Sequence, residues 1–214
     1  MREPSIKWVN QKGYYELADA GPFQAYFSTK IGFPPVENFL YLNQLHTGIV
    51  QVAPVEPETP GDAIVTNKRG GFVSVKTADC GSVFIFDEEH RALGLAHAGW
   101  RGALAGVHLN AIAMMGRLYG TEPASLRVAL GPMICGRCYR VGEEVAGLFQ
   151  GFATPVEGAW FLDLPGFLVQ SLITAGIKQD NIIPAPACTA EDRWLWSARR
   201  DGLIGRNWAL VGMR

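Results

Sequence analysis

The chain has 214 residues, of which 48% are hydrophobic and 18% are charged, and its formal net charge is −1 at pH 7. This composition is typical of a packed globular protein, and the length suits one domain covering residues 1–214. A nearly neutral chain gives no electrostatic reason to expect nucleic acid or an anionic membrane as a partner.

The first residues, Met1–Trp8, lack the apolar region of a signal peptide. No apolar run approaches the roughly 20 residues that span a bilayer. We therefore expect a cytoplasmic protein whose cysteines are free thiols, available for catalysis or metal binding. These cysteines are Cys80, Cys135, Cys138 and Cys188.

Short β-like runs dominate the first half of the chain. The predicted strands are Gly48–Val52, Asp62–Thr66, Phe72–Thr77, Ser82–Asp87 and Ala92–His97. The proline-rich stretch 52–61 is typical of a surface loop, and 87–90 is a predicted turn between two strands.

In the second half the apolar period changes to that of a helix between Leu104 and Leu118, ending near Gly120. The further predicted elements are a strand at Leu126–Leu130, helices at Val141–Phe149 and Leu164–Ala175, and a final strand at Asn207–Met213. Strands and helices do not alternate strictly, which favours an α+β fold with a mixed or antiparallel sheet.

The segment Thr77-Ala78-Asp79-Cys80-Gly81 lies between two apolar strands. A cysteine at such a junction can be reached from a cleft, and Cys80 is therefore a candidate nucleophile or metal ligand. The alternative is a buried cysteine that only packs, because free cysteine is among the most buried residue types.

A second candidate is Gly94-Leu95-Ala96-His97-Ala98-Gly99-Trp100-Arg101-Gly102. A strand ends at His97, glycines permit close backbone approach, and a helix follows. The free N–H groups of a helix start, together with Arg101, would bind an anion. The alternative is a core histidine followed by an ordinary tight turn.

A third candidate, His46, lies in Asn43-Gln44-Leu45-His46-Thr47-Gly48 and is weak by itself, because a surface histidine explains it equally. Two histidines and one cysteine can bind zinc and leave a fourth position open. Their separation along the chain is too long for a zinc-finger signature. The C-x-x-C pair Cys135–Cys138 has no second pair, so a zinc knuckle is not expected there.

Taken together, these segments resemble the YfiH-like family, also known as laccase-domain or polyphenol oxidase-like proteins. The match includes Gln44-Leu45-His46, Gly61–Thr66, Thr77–Cys80, His97–Gly102, Gly131-Pro132, Tyr139–Val145, Cys188-Thr189, Trp196–Gly202 and Gly205-Arg206. The His-Ala-Gly-Trp-Arg-Gly string and the Ala-Asp-Cys string are specific in combination.

The resemblance implies a single catalytic domain of packed mixed β-sheets with flanking helices, similar to certain cysteine hydrolases. It implies His46, Cys80 and His97 as catalytic residues and as ligands of zinc, with copper as the alternative metal. It also implies substrate contacts by Ser28, Gln44 and Arg101.

The implied activity is a purine nucleoside phosphorylase with adenosine deaminase activity, acting on small nucleosides and phosphate. Candidate substrates are adenosine, inosine, guanosine and methylthioadenosine. The oligomeric state is not predicted. The segment Ile31–Asn43 is shorter than is usual in the family, which would alter one wall of the site.

Three other functions remain as alternatives. A copper-dependent, laccase-like polyphenol oxidase needs many imidazoles, and the chain has four histidines, of which His90 and His108 look structural or solvent-exposed. A cysteine hydrolase of a peptidoglycan-editing type would use Cys80 as nucleophile and a histidine as base. A structural zinc site would need a fourth protein ligand, for instance Cys135. The signature of the zinc-dependent nucleobase deaminases is absent.

Overall fold

A computed structural model describes residues 6–214, and over these residues the chain forms fifteen strands and five α-helices. The strands are β1 (Lys7–Asn10), β2 (Tyr14–Ala18), β3 (Phe23–Ser28), β4 (Phe39–Tyr41), β5 (Val50–Val52), β6 (Ala63–Thr66), β7 (Phe72–Thr77), β8 (Gly81–Asp87), β9 (Ala92–Ala98), β10 (Arg127–Leu130), β11 (Arg140–Val141), β12 (Ala153–Val156), β13 (Ala159–Leu162), β14 (Ile182–Ile183) and β15 (Asn207–Met213). The helices are α1 (Trp100–Leu104), α2 (Val107–Tyr119), α3 (Glu143–Ala146), α4 (Leu164–Thr174) and α5 (Ala198–Asp201).

The strands form two six-stranded mixed sheets and one small sheet. The first sheet has the order β1-β2-β3-β15-β7-β4, the second β14-β10-β8-β9-β6-β5, and the small one β11-β13-β12. One apolar cluster joins the faces of the two large sheets, and another joins the opposite face of the second sheet to helices α2 and α4. The predicted α+β fold of packed mixed sheets with flanking helices is confirmed.

The central hairpin of the second sheet, β8 and β9, is buried along its entire length. Alternate side chains of a strand point to opposite faces of the sheet. Val83 and Ile85 therefore pack towards the helices, whereas Phe84 and Phe86 pack against the first sheet. Because both faces are covered, each strand is a nearly continuous apolar run, which made the hairpin easy to predict.

The predicted single helix between Leu104 and Leu118 was wrong only at its start, and its predicted end near Gly120 is confirmed. A five-residue helix, α1, ends at Leu104, and α2 begins only at Val107, after Gly106 in a left-handed conformation (φ 68°). Leu104 and Leu118 are 39% and 49% exposed, so two of the apolar side chains on which the prediction rested lie outside the core.

The predicted helix Val141–Phe149 was also wrong at its start, because Val141 belongs to β11 and pairs with Trp160. Two strands of the first half begin later than predicted, β5 at Val50 and β6 at Ala63. In contrast, β8 begins one residue earlier, at Gly81, and β9 ends one residue later, at Ala98. The predicted bounds of β7 and β15 are confirmed. Among residues 6–214 no helix has both the length and the apolar character needed to cross a membrane.

Candidate active site

Cys80 and His97 lie side by side at one end of the central hairpin. In the antiparallel β8–β9 register Ser82 pairs with His97, and Cys80 immediately precedes β8. Alternate residues of a strand share one face of the sheet. His97 lies two residues after Leu95, and Cys80 lies four residues before Phe84, so both side chains are on the face that packs against the first sheet. The pairing of β8 with β9 therefore brings the two predicted residues together.

His46 reaches the same place on the loop between β4 and β5, where it has a positive φ of 59°. The buried carboxylate of Asp62 holds this loop by accepting hydrogen bonds from the backbone N–H groups of Leu45 (3.2 Å), His46 (3.0 Å) and Thr47 (2.7 Å). The same carboxylate lies 2.9 Å from Nδ1 of His97. One acid thus positions both histidines and leaves Nε2 of His97 available to a ligand.

The three side chains fit a metal-ligand set. The ligand atoms of His46, Cys80 and His97 lie within 4.8 Å of one another, and the two imidazole rings are 4.7 Å apart between centroids. Imidazole nitrogen and thiolate sulfur are ligands that zinc and copper both accept. A Cβ on Gly99 would lie 2.7 Å from the sulfur of Cys80, so glycine is required at this approach.

The charges of the metal-free site follow from its contacts. Burial raises the pKa of the Cys80 thiol, but hydrogen bonds with the rings of His46 and His97 outweigh burial and lower the pKa to about 6. Burial lowers the pKa of His97, but Asp62 and Cys80 raise it to about 9. Burial raises the pKa of Asp62, but His97 and Thr47 lower it to about 2. At neutral pH the site therefore holds a thiolate, an imidazolium and a carboxylate.

This group opens onto a cleft of about 870 Å³ between the β4–β5 loop, helix α1 and the segment around α5. Four cationic side chains line the cleft, and two acids accompany them. The cations are Lys76, Arg101, Arg199 and Arg206, and the acids are Glu58 and Asp79. Large apolar or aromatic side chains also line the cleft: Trp100, Tyr139, Leu203 and Ile204. Such a cleft suits a ligand with an anionic group and a flat or apolar ring.

Two of the three predicted substrate-binding residues line this cleft, Gln44 and Arg101. The side-chain amide of Gln44 is hydrogen-bonded at both ends to the backbone of Lys76, at 2.8 and 2.7 Å, and so ties the His46 loop to β7. Ser28 is buried outside the lining, and its hydroxyl oxygen accepts a hydrogen bond from the backbone N–H of Trp208 at 2.8 Å.

The predicted anion site at a helix start requires a correction. The helix next to His97 is the five-residue α1, whereas the thirteen-residue helix starts later, at Val107. A short helix aligns few peptide dipoles, so little anion attraction comes from it. The cation that remains is Arg101, which is exposed to solvent with its guanidinium 4.1 Å from the centre of the Trp100 ring.

Cys135 does not close the metal site. Among the described residues no fourth His, Cys, Asp or Glu joins His46, Cys80 and His97, and Cys135 lies beside Cys138 and Cys188 instead. All four cysteines are free thiols. Of the other histidines, His90 is bonded to Asp87 and His108 to Ser171 through its Nε2, which are structural contacts.

Sequence reasoning missed the residues that support the site. Asp62 had only the signal of an acid directly before a buried strand, and nothing in the sequence linked it to His97. Asp79 has a positive φ of 82°, and its carboxylate accepts hydrogen bonds from Thr189 Oγ1 (2.6 Å) and from the backbone N–H of Arg199 (2.7 Å). It therefore fastens the far wall of the cleft beside Cys80.

Comparison with known proteins places this chain in a family. A purine nucleoside phosphorylase from Deinococcus radiodurans is 34% identical over 196 residues, which are 89% of this chain and 76% of that protein. The adenosine deaminase RL5, from an unknown prokaryotic organism, is 31% identical over 152 residues, covering 66% of this chain and 58% of that protein.

The crystal structure of the hypothetical protein YfiH from Bacillus licheniformis superposes with a TM-score of 0.89 at 22% identity, covering 97% of this chain and 99% of that one, and it shares the fold. The model of the family described as multi-copper polyphenol oxidoreductase laccase matches residues 24–214. The chain therefore belongs to this laccase-domain family, whose relatives include proteins named for nucleoside phosphorolysis and for adenosine deamination.

Proposed function

We propose that this protein is a zinc-dependent purine nucleoside phosphorylase that also deaminates adenosine. The names of its relatives support a nucleoside substrate. The observation that carries the proposal is one cleft in which the His46, Cys80 and His97 group faces Arg101 and other cations as well as aromatic rings. A nucleoside and phosphate together need both kinds of surface.

In phosphorolysis a phosphate oxygen forms a bond to C1′ of the ribose while the glycosidic C–N bond breaks. The purine leaves with the electron pair of that bond and takes up a proton. Arg101, Arg199 and Lys76 bind the phosphate and hold its oxygen towards the sugar through charge-assisted hydrogen bonds. Trp100 and Tyr139 stack against the purine ring.

His46, Cys80 and His97 would hold the zinc ion, which would supply a Lewis acid. Asp62 accepts hydrogen bonds from the backbone N–H of His46 and from the ring of His97 and so positions both histidines. Burial and the nearby Cys80 raise the pKa of Tyr139 to about 12, so its hydroxyl remains a hydrogen-bond donor. Adenosine deamination uses the same cleft. The oxygen of a water molecule forms a bond to C6 of the base, and the bond from C6 to the amino nitrogen breaks. One proton of the water leaves with that nitrogen as ammonia, and the other ends on N1 of the product inosine.

The further proposals are a single catalytic domain over 1–214, a cytoplasmic location, and adenosine, inosine, guanosine and methylthioadenosine as substrates. The role of Ser28 in substrate binding stays a prediction. Ser28 would act indirectly, by positioning Trp208, whose ring packs beside Lys76.

The test is base release from adenosine or inosine with and without phosphate, with metal analysis of the same sample. We expect free base and pentose 1-phosphate only when phosphate is present. Arg101→Ala should raise the KM for phosphate about 10- to 100-fold, which corresponds to one or two charge-assisted hydrogen bonds, with little change in the KM for nucleoside. Arg117→Ala, an exposed arginine on α2 outside the cleft, is the matched control. Cleavage without phosphate would overturn the phosphorylase proposal.

A metal-independent cysteine hydrolase is the second candidate, because Asp62, His97 and Cys80 form an acid–imidazole–thiol series. It differs from the first proposal in two results. Its activity would survive complete removal of zinc, and it would not need phosphate. A copper-dependent oxidase would instead consume oxygen with phenols after copper is added.

A further inference from the structure

Three thiols and a carboxylate from two separate loops meet outside the cleft. Cys135 and Cys138 lie between β10 and β11, and Cys188 and Glu191 lie between β14 and α5. Their ligand atoms are all within 4.8 Å of one another. We call these four residues the thiol cluster.

The tight turn at Cys135–Cys138 places the two sulfur atoms on the same side of this segment. The carbonyl oxygen of Cys135 accepts hydrogen bonds from the backbone N–H groups of Cys138 (3.0 Å) and Tyr139 (3.1 Å). Glu191 Oε1 lies 3.8 Å from Cys135 Sγ and 3.6 Å from Cys138 Sγ. The carboxylate therefore lies directly against both sulfurs.

The third sulfur is held by the backbone. Cys188 Sγ accepts a hydrogen bond from the backbone N–H of Cys135 at 3.3 Å, so the two loops are joined at this atom. An isolated parallel β-bridge beside it pairs Met133 with Cys188, through hydrogen bonds from Met133 N to Ala187 O and from Thr189 N to Met133 O. Backbone hydrogen bonds thus hold the two ligand-bearing loops in register.

We propose that the thiol cluster is a second metal site, a structural zinc site with three thiolate ligands and one carboxylate ligand. Three cysteines and one oxygen ligand match the four ligands of a closed tetrahedral zinc site. Thiolates alone would also suit Cu⁺, but a carboxylate oxygen favours Zn²⁺. Binding releases to solvent the protons of the thiols that were still protonated, and no electron is transferred.

The position of the thiol cluster gives the metal a role. Cys138 is followed by Tyr139, which lines the cleft. Cys188 is followed by Thr189, whose hydroxyl donates to Asp79 at 2.6 Å, next to Cys80. A metal at the cluster would therefore fasten together the two loops that form one wall of the cleft.

Arg137 supports the carboxylate. Its guanidinium lies 3.1 Å from Oε1 and 3.4 Å from Oε2 of Glu191, so it aligns the acid and offsets part of the negative charge that four anionic ligands would collect.

The experiment separates the two sites by removing the first one. In the variant His46→Ala/Cys80→Ser/His97→Ala, the three cysteines of the thiol cluster are the only thiols that remain. We expect about two zinc ions per chain in the full-length wild type and about one in this variant, measured by elemental analysis after dialysis. With Co²⁺ in place of zinc, the variant should show the intense thiolate charge-transfer band of a tetrahedral site, and zinc should protect all three thiols from alkylation.

Two further variants test the ligands. Glu191→Gln should weaken zinc binding by the triple variant at least tenfold, whereas Glu89→Gln, an exposed acid in the turn after β8, should leave it unchanged. If the triple variant fails to fold, Cys80→Ser alone serves the same count. The proposal is overturned if the triple variant holds no zinc, if zinc does not protect its thiols, or if Cys135 and Cys138 form a disulfide without added oxidant.

Discussion

Replacing Asp62 by asparagine tests whether one buried carboxylate organises the active site. The side chain is fully buried, and its two oxygens accept hydrogen bonds from three backbone N–H groups, from the Thr47 hydroxyl (2.8 Å) and from the His97 ring. Asparagine has nearly the same shape but turns one of the two acceptors into a donor. The substitution therefore changes hydrogen bonding with little change in packing.

The loss in the free energy of unfolding depends on which carboxylate oxygen the NH₂ group of asparagine replaces. In the less costly orientation, NH₂ replaces Oδ1, and the N–H of His46 loses its acceptor, which costs about 1–3 kcal/mol. Nδ1 of His97 must then accept a hydrogen bond, which moves the ring proton to Nε2, the nitrogen left for the metal. In the other orientation two backbone N–H groups, those of Leu45 and Thr47, lose their acceptor.

We expect Asp62→Asn to lower the free energy of unfolding by about 1–3 kcal/mol and to weaken zinc binding about 10- to 100-fold. Urea unfolding and competition with a chelator measure these two effects. The matched control is Asp87→Asn, because Asp87 is another buried carboxylate that accepts hydrogen bonds, here from His90 and Thr121, at the far end of β8. It should lose comparable stability and keep its zinc affinity. Unchanged zinc affinity in Asp62→Asn would refute the reasoning.

Three further predictions follow from the structure. Gly99→Ala should abolish zinc binding at the site of His46, Cys80 and His97 while leaving the fold intact, since its φ of −68° permits alanine but the new methyl would lie 2.7 Å from Cys80 Sγ; Gly71→Ala, with open space around it, should bind zinc there normally. Zinc affinity at this site should rise with pH between 7 and 9, because Cys80 is already ionised above a pKa of about 6 whereas His97 must lose a proton held up to about pH 9. Calorimetry in buffers of different ionisation enthalpy should find about one proton released at pH 7.5 per zinc bound at this site, and no release there would contradict the imidazolium. Phe84→Ala should destabilise the protein by about 3–5 kcal/mol without changing zinc affinity, because its ring is fully buried between the two large sheets; a loss near zero in urea unfolding would contradict that packing.

The same titrations contribute to the pH dependence of the stability of the metal-free protein. The pKa of His97 is raised on folding, so its contribution is fully present below its unfolded value of 6.5 and is lost as pH rises through about 9. The pKa of Asp62 is lowered, so its contribution is present above 3.8 and is lost as pH falls through about 2.

The sequence by itself determined the elements that are buried on both faces and the residues with distinctive chemistry. The strands β7, β8, β9 and β15 are buried over most of their length, β8 and β9 because the first sheet covers one of their sides and helices cover the other. A local pattern is enough to reveal such strands. His97 could be found because glycines and an arginine surround it. Cys80 could be found because it stands at the junction of two such strands.

Only the tertiary structure decided which distant residues act together. The N-terminal strands β1 and β2 and the strands of the small sheet were not predicted, because their short, partly exposed runs carry little local signal. Asp62 lies beside His97 because β6 pairs with β9. Cys188 lies beside the Cys135–Cys138 turn because an isolated β-bridge joins Met133 to Cys188. A local pattern carries no information on such pairings, since hydrogen bonds between strands join residues regardless of their separation along the chain.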